Sequence, residues 1–226
     1  MKRAIVIRPR KGMEETLAAG RAAGLDITGW PLFEVRPLAW EPPAPEGIDG
    51  LLVGSANAFR LGGPGLAAFA DKPVHAVGKA TADAARAAGF RVANVGEGGL
   101  QQVLNGLAGQ PLTLLRLAGE KRVPLNPPLG IVLVTRVAYQ SVTLPMPEEM
   151  AAALREGDRV VLLYSADAAG HLARECHRLG IGKERIALAA LGPRIAAAAG
   201  PGWAQLRSAS APNEAALLAL AQDMCH

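Results

Sequence analysis

The chain has 226 residues; half of them are hydrophobic but only 4% are aromatic, so its cores must be built mainly from Ala, Leu and Val. The net charge is +4 without blocks of Lys and Arg, which argues against a nucleic-acid-binding tail and suits a small anionic ligand. Two distant cysteines and the lack of a long apolar run argue against a disulfide framework, a metal site, a signal peptide and a membrane span, so we expect a cytoplasmic protein.

The first thirty residues predict a strand, a helix and a second strand. Residues 4–7 form a short apolar run, which is typical of a strand buried on both faces of a parallel sheet. Residues 13–23 predict a helix with two glutamates in its first turn and a stop at Gly24. Residues 26–30 predict the second strand, so the chain opens with a parallel strand–helix–strand unit.

Residues 49–108 are nearly repeated at residues 158–221. Each copy begins with an apolar run that ends on a serine, Ser55 or Ser165. An alanine-rich segment, a second apolar run ending in glycine and two further helices follow in both copies. Two copies of one supersecondary unit predict two similar lobes, and the chemistry is expected in a cleft between them.

The segment between the two copies predicts two more buried strands, at residues 111–117 and 130–134. Pro124, Pro127 and Pro128 lie between these strands, where a helix would otherwise connect them. Because proline lacks an N–H group and clashes with the preceding turn, at most a short or distorted helix is expected there.

Two segments that alternate apolar and polar residues, near 32–38 and 137–144, predict strands that pair as an antiparallel ribbon joining the lobes. The predicted fold class is therefore α/β, with two similar lobes that each hold a parallel sheet flanked by helices. One lobe is discontinuous: domain 1 comprises residues 1–35 and 145–226, and domain 2 comprises residues 36–144.

Three hydroxyl residues, Ser55, Thr81 and Ser165, follow predicted strands at the start of helices. Such junctions present hydroxyl and backbone N–H groups at the positive end of a helix dipole, which suits carboxylates or phosphates. Plain helix N-capping, which is the usual role of Ser and Thr at such positions, is the alternative interpretation of each residue. Equivalent positions in both lobes favour the ligand interpretation for the set.

Cations and one tyrosine complete the candidate site. Arg8 and Arg116 lie at or just after the ends of two predicted strands, where parallel sheets bind their ligands, so they are candidates for binding an anion. Tyr139 lies on the predicted ribbon and could donate a proton to a leaving oxygen, or it could simply pack as an amphipathic strand residue. The chain has no P-loop and no Gly-x-Gly-x-x-Gly fingerprint, which argues against a nucleotide.

Several short motifs, in this order and spacing, resemble the uroporphyrinogen-III synthase family over nearly the whole chain. They are Ile5-Val6-Ile7-Arg8-Pro9, Leu51-Leu52-Val53-Gly54-Ser55-Ala56-Asn57-Ala58, Ala76-Val77-Gly78-Lys79-Ala80-Thr81-Ala82, Leu114-Leu115-Arg116-Leu117-Ala118-Gly119, Val137-Ala138-Tyr139-Gln140 and Ala190-Leu191-Gly192-Pro193. The resemblance implies a hydro-lyase that closes the linear tetrapyrrole hydroxymethylbilane to uroporphyrinogen III. Water is lost, and ring D is inverted through a spiro intermediate.

The resemblance also assigns roles and partners. It implies that Tyr139 assists departure of the hydroxyl, and that Ser55, Thr81 and Ser165 contact a substrate bearing eight carboxylates. It implies no metal and no organic cofactor. We expect a monomer without nucleic-acid or membrane partners, in transient contact at most with the preceding pathway enzyme. The chain departs from the family pattern at Arg194, which replaces a small polar residue, and at the proline-rich segment.

Two other functions fit the same pattern. A non-enzymatic two-lobed protein that closes on a small anionic metabolite would share the architecture and the charge. A small nucleotide-dependent enzyme would share the α/β units, although the glycine fingerprints are missing. Turnover of hydroxymethylbilane separates the synthase from the binding protein, and failure to bind NAD or ATP would exclude the nucleotide-dependent enzyme.

Overall fold

The structure is a computed structural model that describes residues 2–226, in which eleven strands and eight α-helices are found. The strands are β1 (Arg3–Val6), β2 (Ile27–Gly29), β3 (Phe33–Pro37), β4 (Gly50–Val53), β5 (Val74–Val77), β6 (Val92–Gly96), β7 (Leu112–Gly119), β8 (Ile131–Thr143), β9 (Arg159–Leu163), β10 (Ile186–Ala190) and β11 (Gln205–Ser208). The helices are α1 (Arg10–Ala22), α2 (Asn57–Leu61), α3 (Lys79–Ala87), α4 (Leu100–Asn105), α5 (Glu148–Glu156), α6 (Ala166–Arg178), α7 (Pro193–Ala199) and α8 (Glu214–Cys225). None of these helices has the length and apolarity needed to cross a bilayer.

The described chain divides into two compact units. Unit 1 comprises residues 2–34 and Val142–His226, and unit 2 comprises Val35–Ser141. The chain passes from one unit to the other within β3 and again within β8.

Unit 1 is built on a five-stranded parallel sheet with the strand order β11-β10-β9-β1-β2. Side chains of β1 alternate between two cores: Ile5 packs with α5 and α6 on one face, and Ala4 and Val6 pack with α8 on the other. Because both faces are covered, the strands need apolar residues at every position, which explains the continuous apolar runs in the sequence.

Unit 2 is built on a six-stranded sheet with the order β3-β8-β7-β4-β5-β6, in which the last five strands are parallel. Strand β3 joins β8 in the antiparallel direction: the Leu38 amide donates to the Ala138 carbonyl and the Leu144 amide donates to the Leu32 carbonyl, each at 2.8 Å. The predicted α/β fold class with its antiparallel ribbon is confirmed. The predicted strand at 130–134 and the predicted ribbon at 137–144 are one continuous strand, β8, rather than two elements.

Helix α1 begins three residues earlier than the sequence indicated. It starts at Arg10, directly after Pro9, so the glutamates at 14 and 15 lie beyond its first turn, which contains no acidic residue. Proline fixes φ near its helical value and is well tolerated where a helix begins, so Pro9 sets the start of the helix and the glutamates do not.

A buried histidine in β5 links the stability of unit 2 to pH. His75 is 9% exposed, and its Nδ1 atom has no hydrogen-bond partner among the described residues. Burial lowers the pKa of His75, and the nearby Arg91 adds to this. The folded state therefore binds fewer protons than the unfolded state below about pH 6.5, so the free energy of unfolding should fall as the pH is lowered from about 7.

Replacing His75 by leucine should flatten this dependence in urea titrations between about pH 7 and 5. Replacing the exposed His177 by glutamine is the matched control for losing a histidine. If the free energy of unfolding of the His75 variant changes with pH as steeply as that of the wild type, this histidine does not cause the pH dependence.

Candidate active site

A cavity of about 710 Å³ lies in unit 2 at the carboxyl ends of β4, β5 and β7. The chain runs outward through β4, β5 and β6, then returns to the other side of β4 to form β7 and β8. The order therefore reverses between β4 and β7, which is the place where open parallel sheets bind their ligands. Three predicted site residues, Ser55, Arg116 and Tyr139, line this cavity together.

Arg116 is the buried one of the three cationic residues that line the cavity; the other two are Lys121 and Arg122. Only 6% of the residue is exposed, because it projects from β7 in the middle of the sheet. Its Nη2 donates to the Val123 carbonyl at 2.7 Å, but its Nε is buried and has no partner among the described residues. Burial lowers the pKa of Arg116, Arg122 lowers it further and Tyr139 offsets part of the change. A guanidinium remains charged in proteins, so the cavity holds a cationic donor without an acceptor.

Tyr139 reaches the cavity from β8 through a local irregularity of the sheet. The register between β7 and β8 shifts after Ala118, so that Gly119 pairs with Tyr139. A Cβ atom on Gly119 would lie 2.7 Å from Cε2 of the tyrosine, so only glycine leaves room for the ring in this position. The bulge and the glycine together fix the phenol at the cavity wall.

Ser55 lies between the end of β4 and the start of α2. Its Oγ accepts a hydrogen bond from the Asn57 amide at 3.3 Å, and its carbonyl accepts from the Ala58 amide at 3.1 Å. The hydroxyl therefore supports the helix start and also faces the cavity, where its proton is available for donation to a ligand.

The proline-rich segment forms one wall of the cavity, and we call residues 121–128 the strap. No helix forms in the strap, in agreement with its prolines. The Gln101 side chain holds it through two bonds: its Nε2 donates to the Asn126 carbonyl at 2.8 Å and its Oε1 accepts from the Asn126 amide at 2.9 Å. The hydrogen bond from Arg116 to the Val123 carbonyl is a further contact that holds the strap in place.

Replacing Gln101 by leucine should release the strap at Asn126. Both bonds are exposed to solvent and each contributes about 0.5–1 kcal/mol, so we expect a loss of stability of roughly 1–2 kcal/mol and faster amide exchange in residues 121–128. Gln102→Leu, on an exposed position of the same helix, is the matched control. Unchanged amide exchange in the Gln101 variant would show that the strap does not depend on this side chain.

The remaining predicted residues lie outside this cavity. Thr81 is in the first turn of α3 and is only 4% exposed. Ser165 belongs to unit 1, where its side chain accepts from the Ala168 amide at 3.2 Å and caps α6. Arg8 also belongs to unit 1, and its Nη1 donates to the Thr16 hydroxyl at 3.0 Å.

Glu175 of α6 makes a structural contact with the start of α5. Glu175 is 7% exposed, accepts two hydrogen bonds from Arg178 and one from the Met146 amide, and so holds the chain where it enters α5. The Arg178 bonds, together with the Met146 amide, lower the pKa of Glu175 to about 2. Across residues 2–226, no three His, Cys, Asp or Glu side chains are grouped as a metal ion would require.

Sequence reasoning missed two features of these sites. Gln101 and Asn126 pair across 25 residues, and no local pattern announces such a contact. Tyr164 packs its ring against the core of unit 1 and donates its hydroxyl proton to Glu214 at 2.8 Å. The only sequence signal for the contact between Tyr164 and Glu214 was a tyrosine directly before the serine that ends a predicted strand.

A family model described as uroporphyrinogen-III synthase HemD matches residues 14–219, which is most of the chain. The chain belongs to the uroporphyrinogen-III synthase family. The resemblance seen in the sequence motifs is thereby confirmed. No curated protein matched the chain.

Solved structures of this family share the fold. The uroporphyrinogen-III synthetase from Helicobacter pylori is 17% identical, with a TM-score of 0.69 over 99% of this chain and 100% of that chain. A mutant uroporphyrinogen III synthase from the extremely thermophilic bacterium Thermus thermophilus is 18% identical, with a TM-score of 0.50 over 99% of this chain and 98% of that chain. At these identities the likeness bears on the architecture alone.

Membership of the uroporphyrinogen-III synthase family fixes the reaction. The enzyme is a lyase that cyclises hydroxymethylbilane to uroporphyrinogen III in porphyrin and heme biosynthesis. Water is lost, and ring D is inverted through a spiro intermediate. The alternative of a non-enzymatic anion-binding protein finds no support.

Proposed function

We propose that the cavity of unit 2 is where the hydroxymethyl end of the bilane is activated, with Arg116 and Ser55 binding substrate carboxylates and Tyr139 as the catalytic residue. The observation that carries this proposal is Arg116, a buried cation that lines a 710 Å³ cavity and whose Nε has no acceptor among the described residues. A polycarboxylate substrate supplies such an acceptor.

Arg116 suits a carboxylate better than a lysine would. Its planar guanidinium can present Nε and one terminal nitrogen side by side to the two oxygens of a carboxylate. Because Nη2 is already fixed to Val123 and Nε is buried without a partner in the described chain, the fork is ordered before the substrate arrives. Little conformational entropy is then lost when the carboxylate binds.

Tyr139 would act as the general acid. The C–O bond of the hydroxymethyl group breaks, the phenol gives its proton to the departing oxygen, and water leaves. The cationic azafulvene that remains is attacked by the substituted carbon of ring D, which forms the spiro intermediate. A proton lost from the substrate later in the sequence restores the phenol, so no net proton is consumed by the enzyme.

Control of geometry is the larger part of catalysis. Without enzyme the bilane closes at the unsubstituted carbon of ring D and gives isomer I. Fixing the substrate carboxylates through several weak donors selects the conformation of the bilane that favours spiro attack. Orientation of this kind contributes several kcal/mol to catalysis. Distributed donors such as Ser55 and Arg116 fit this task better than one strong catalytic group.

Arg8 and Ser165 would bind further substrate carboxylates at unit 1. Ser165 follows β9 in the same way that Ser55 follows β4, and both hydroxyls retain a proton to donate. Thr81 is the least supported member of the set, because its side chain is nearly covered within α3.

The enzyme would act as a monomer in the cytoplasm and take the bilane by transient contact from the preceding pathway enzyme. Rapid spontaneous closure of the free bilane favours such a transfer. In the described chain the exposed large apolar residues, Val95, Val123, Leu129, Val132 and Leu206, are spread over several segments instead of one apolar element. Sedimentation velocity measurements test whether the enzyme is a monomer in solution.

The reaction itself is tested by chromatography of the products that form from freshly generated hydroxymethylbilane. With the protein present, isomer III should replace isomer I. Isomer I alone, from protein shown to be folded by its circular dichroism, would overturn the proposed function.

A further inference from the structure

Unit 1 contains a second group of donors at the reversal of its own strand order. The chain leaves β1 toward β2 on one side, and β9, β10 and β11 continue on the other side, so the order reverses between β1 and β9. Arg8 follows the end of β1 and Tyr164 follows the end of β9. This is the position that the cavity occupies in unit 2, and it is the expected ligand position in a parallel sheet.

The donors at this place already hold a carboxylate, which belongs to the protein itself. Glu214, the first residue of α8, accepts from the Tyr164 hydroxyl through Oε1 at 2.8 Å and from the Arg8 guanidinium through Oε2 at 3.2 Å. Both carboxylate oxygens are therefore bound, one by a phenol and one by a cation. This is the arrangement that a small carboxylate ligand would receive.

The guanidinium of Arg8 is fixed from both sides. It stacks on the Tyr164 ring, with Cζ 4.1 Å from the ring centroid. On its other side lies Gly12 of α1, where a Cβ atom would come within 2.8 Å of Nε. The third contact of the guanidinium is a hydrogen bond from Nη1 to the Thr16 hydroxyl at 3.0 Å. The cation is thus positioned independently of Glu214 and would keep its place if that carboxylate moved away.

Glu214 is the more exposed partner of the ion pair with Arg8. The Arg8 side chain is 28% exposed and the Glu214 side chain is 37% exposed, so solvent and ligands can reach both. An ion pair of this exposure is weak, and a competing carboxylate can replace it at small cost. Burial raises the pKa of the Tyr164 hydroxyl, and Glu214 adds to this, so the phenol remains a donor at neutral pH.

We infer that Arg8 and Tyr164 form a second carboxylate-binding site, and that Glu214 occupies it in the free enzyme as an internal competitor that a substrate carboxylate displaces. The inference rests on the proposed function for the identity of the ligand, a tetrapyrrole with eight carboxylates. It adds Tyr164 as a binding residue, and it gives Glu214 the role of a gate that lowers affinity for anions that cannot displace it.

The test measures binding of uroporphyrin III, the oxidised form of the product, by quenching of its fluorescence, so that no turnover is needed. Glu214→Gln keeps an acceptor for Tyr164 but loses the charge that competes for Arg8. We expect it to bind the porphyrin roughly threefold to tenfold more tightly than the wild type, since a partly exposed ion pair no longer has to be broken. Asp223→Asn is the control, because it also removes one negative charge from α8 and one partner from an arginine, Arg207.

The double variant Arg8→Ala/Glu214→Gln separates competition from simple loss of negative charge. If Glu214 competes for Arg8, the gain from Glu214→Gln disappears when Arg8 is absent. Gly12→Ala should have the same effect as Arg8→Ala, because its methyl group expels the guanidinium while every charge is kept. Thermal denaturation of each variant shows whether it is folded.

Unchanged or weaker porphyrin binding by Glu214→Gln would overturn the inference, as would a gain that persists in the Arg8→Ala background or appears equally in Asp223→Asn. A protein that binds uroporphyrin III with the expected pattern but forms only isomer I would overturn the proposed function and leave this site standing. The two failures are therefore distinguishable.

Discussion

Replacing Tyr139 by phenylalanine should lower kcat for formation of isomer III by roughly 100-fold, at the lower end of what loss of a general acid causes. KM should change by less than about threefold, because the ring still fills the space over Gly119 and the carboxylate-binding groups are untouched. Stopped assays that separate isomers I and III measure both constants. The melting temperature should stay close to that of the wild type.

Tyr164→Phe is the matched control, since it removes the other tyrosine hydroxyl of the chain. It should alter KM through the Arg8 site and leave kcat nearly unchanged. Near-normal turnover by the Tyr139 variant would remove this residue from the chemistry and leave orientation as the source of catalysis.

Replacing Arg116 by methionine should raise KM by roughly 10-fold to 100-fold. The reason is that a buried hydrogen bond to a charged group contributes about 1.5–3 kcal/mol, and each 1.4 kcal/mol is a factor of about ten. Stability should fall by at most about 1 kcal/mol, through loss of the bond to Val123, because the unpaired buried Nε itself disfavours folding and methionine fills similar space.

Arg86→Met, on an exposed position of α3, controls for loss of one positive charge from unit 2. It should leave KM within about twofold of the wild type, because exposed charges act weakly at a distance in salt. A KM for Arg116→Met that matches this control, from folded protein, would show that the buried guanidinium does not meet the substrate.

The elements of the sheets could be predicted from the sequence because their cause is local. Strands β4, β9 and β10 are covered on both faces, and each therefore appears as an unbroken apolar run between turn residues. The antiparallel pairing of β3 with β8 was predicted from alternation in both segments. The predicted start of α1 was wrong because Pro9 sets the beginning of the helix, whereas Glu14 and Glu15 do not.

The candidate site was only partly predictable, because its contacts join distant parts of the chain. Ser55, Arg116 and Tyr139 lie at strand ends or on the ribbon, positions that the strand pattern reveals, and the structure brings them to one cavity. The clamp between Gln101 and Asn126 and the bond between Tyr164 and Glu214 depend on which loops meet. Amide and hydroxyl pairs of this kind leave no periodic signal in a sequence.

The central position of β1 in unit 1 has a consequence for biosynthesis. Ala4 pairs with Ile27 on one side, which is available early, and with Val160 on the other, which the ribosome adds much later. Unit 2 lies between them in the chain and can complete its own core while the apolar β1 still lacks half of its neighbours. A nascent chain of this enzyme therefore carries an incomplete sheet until β9 is synthesised, and an apolar strand left unpaired in this way is prone to aggregation.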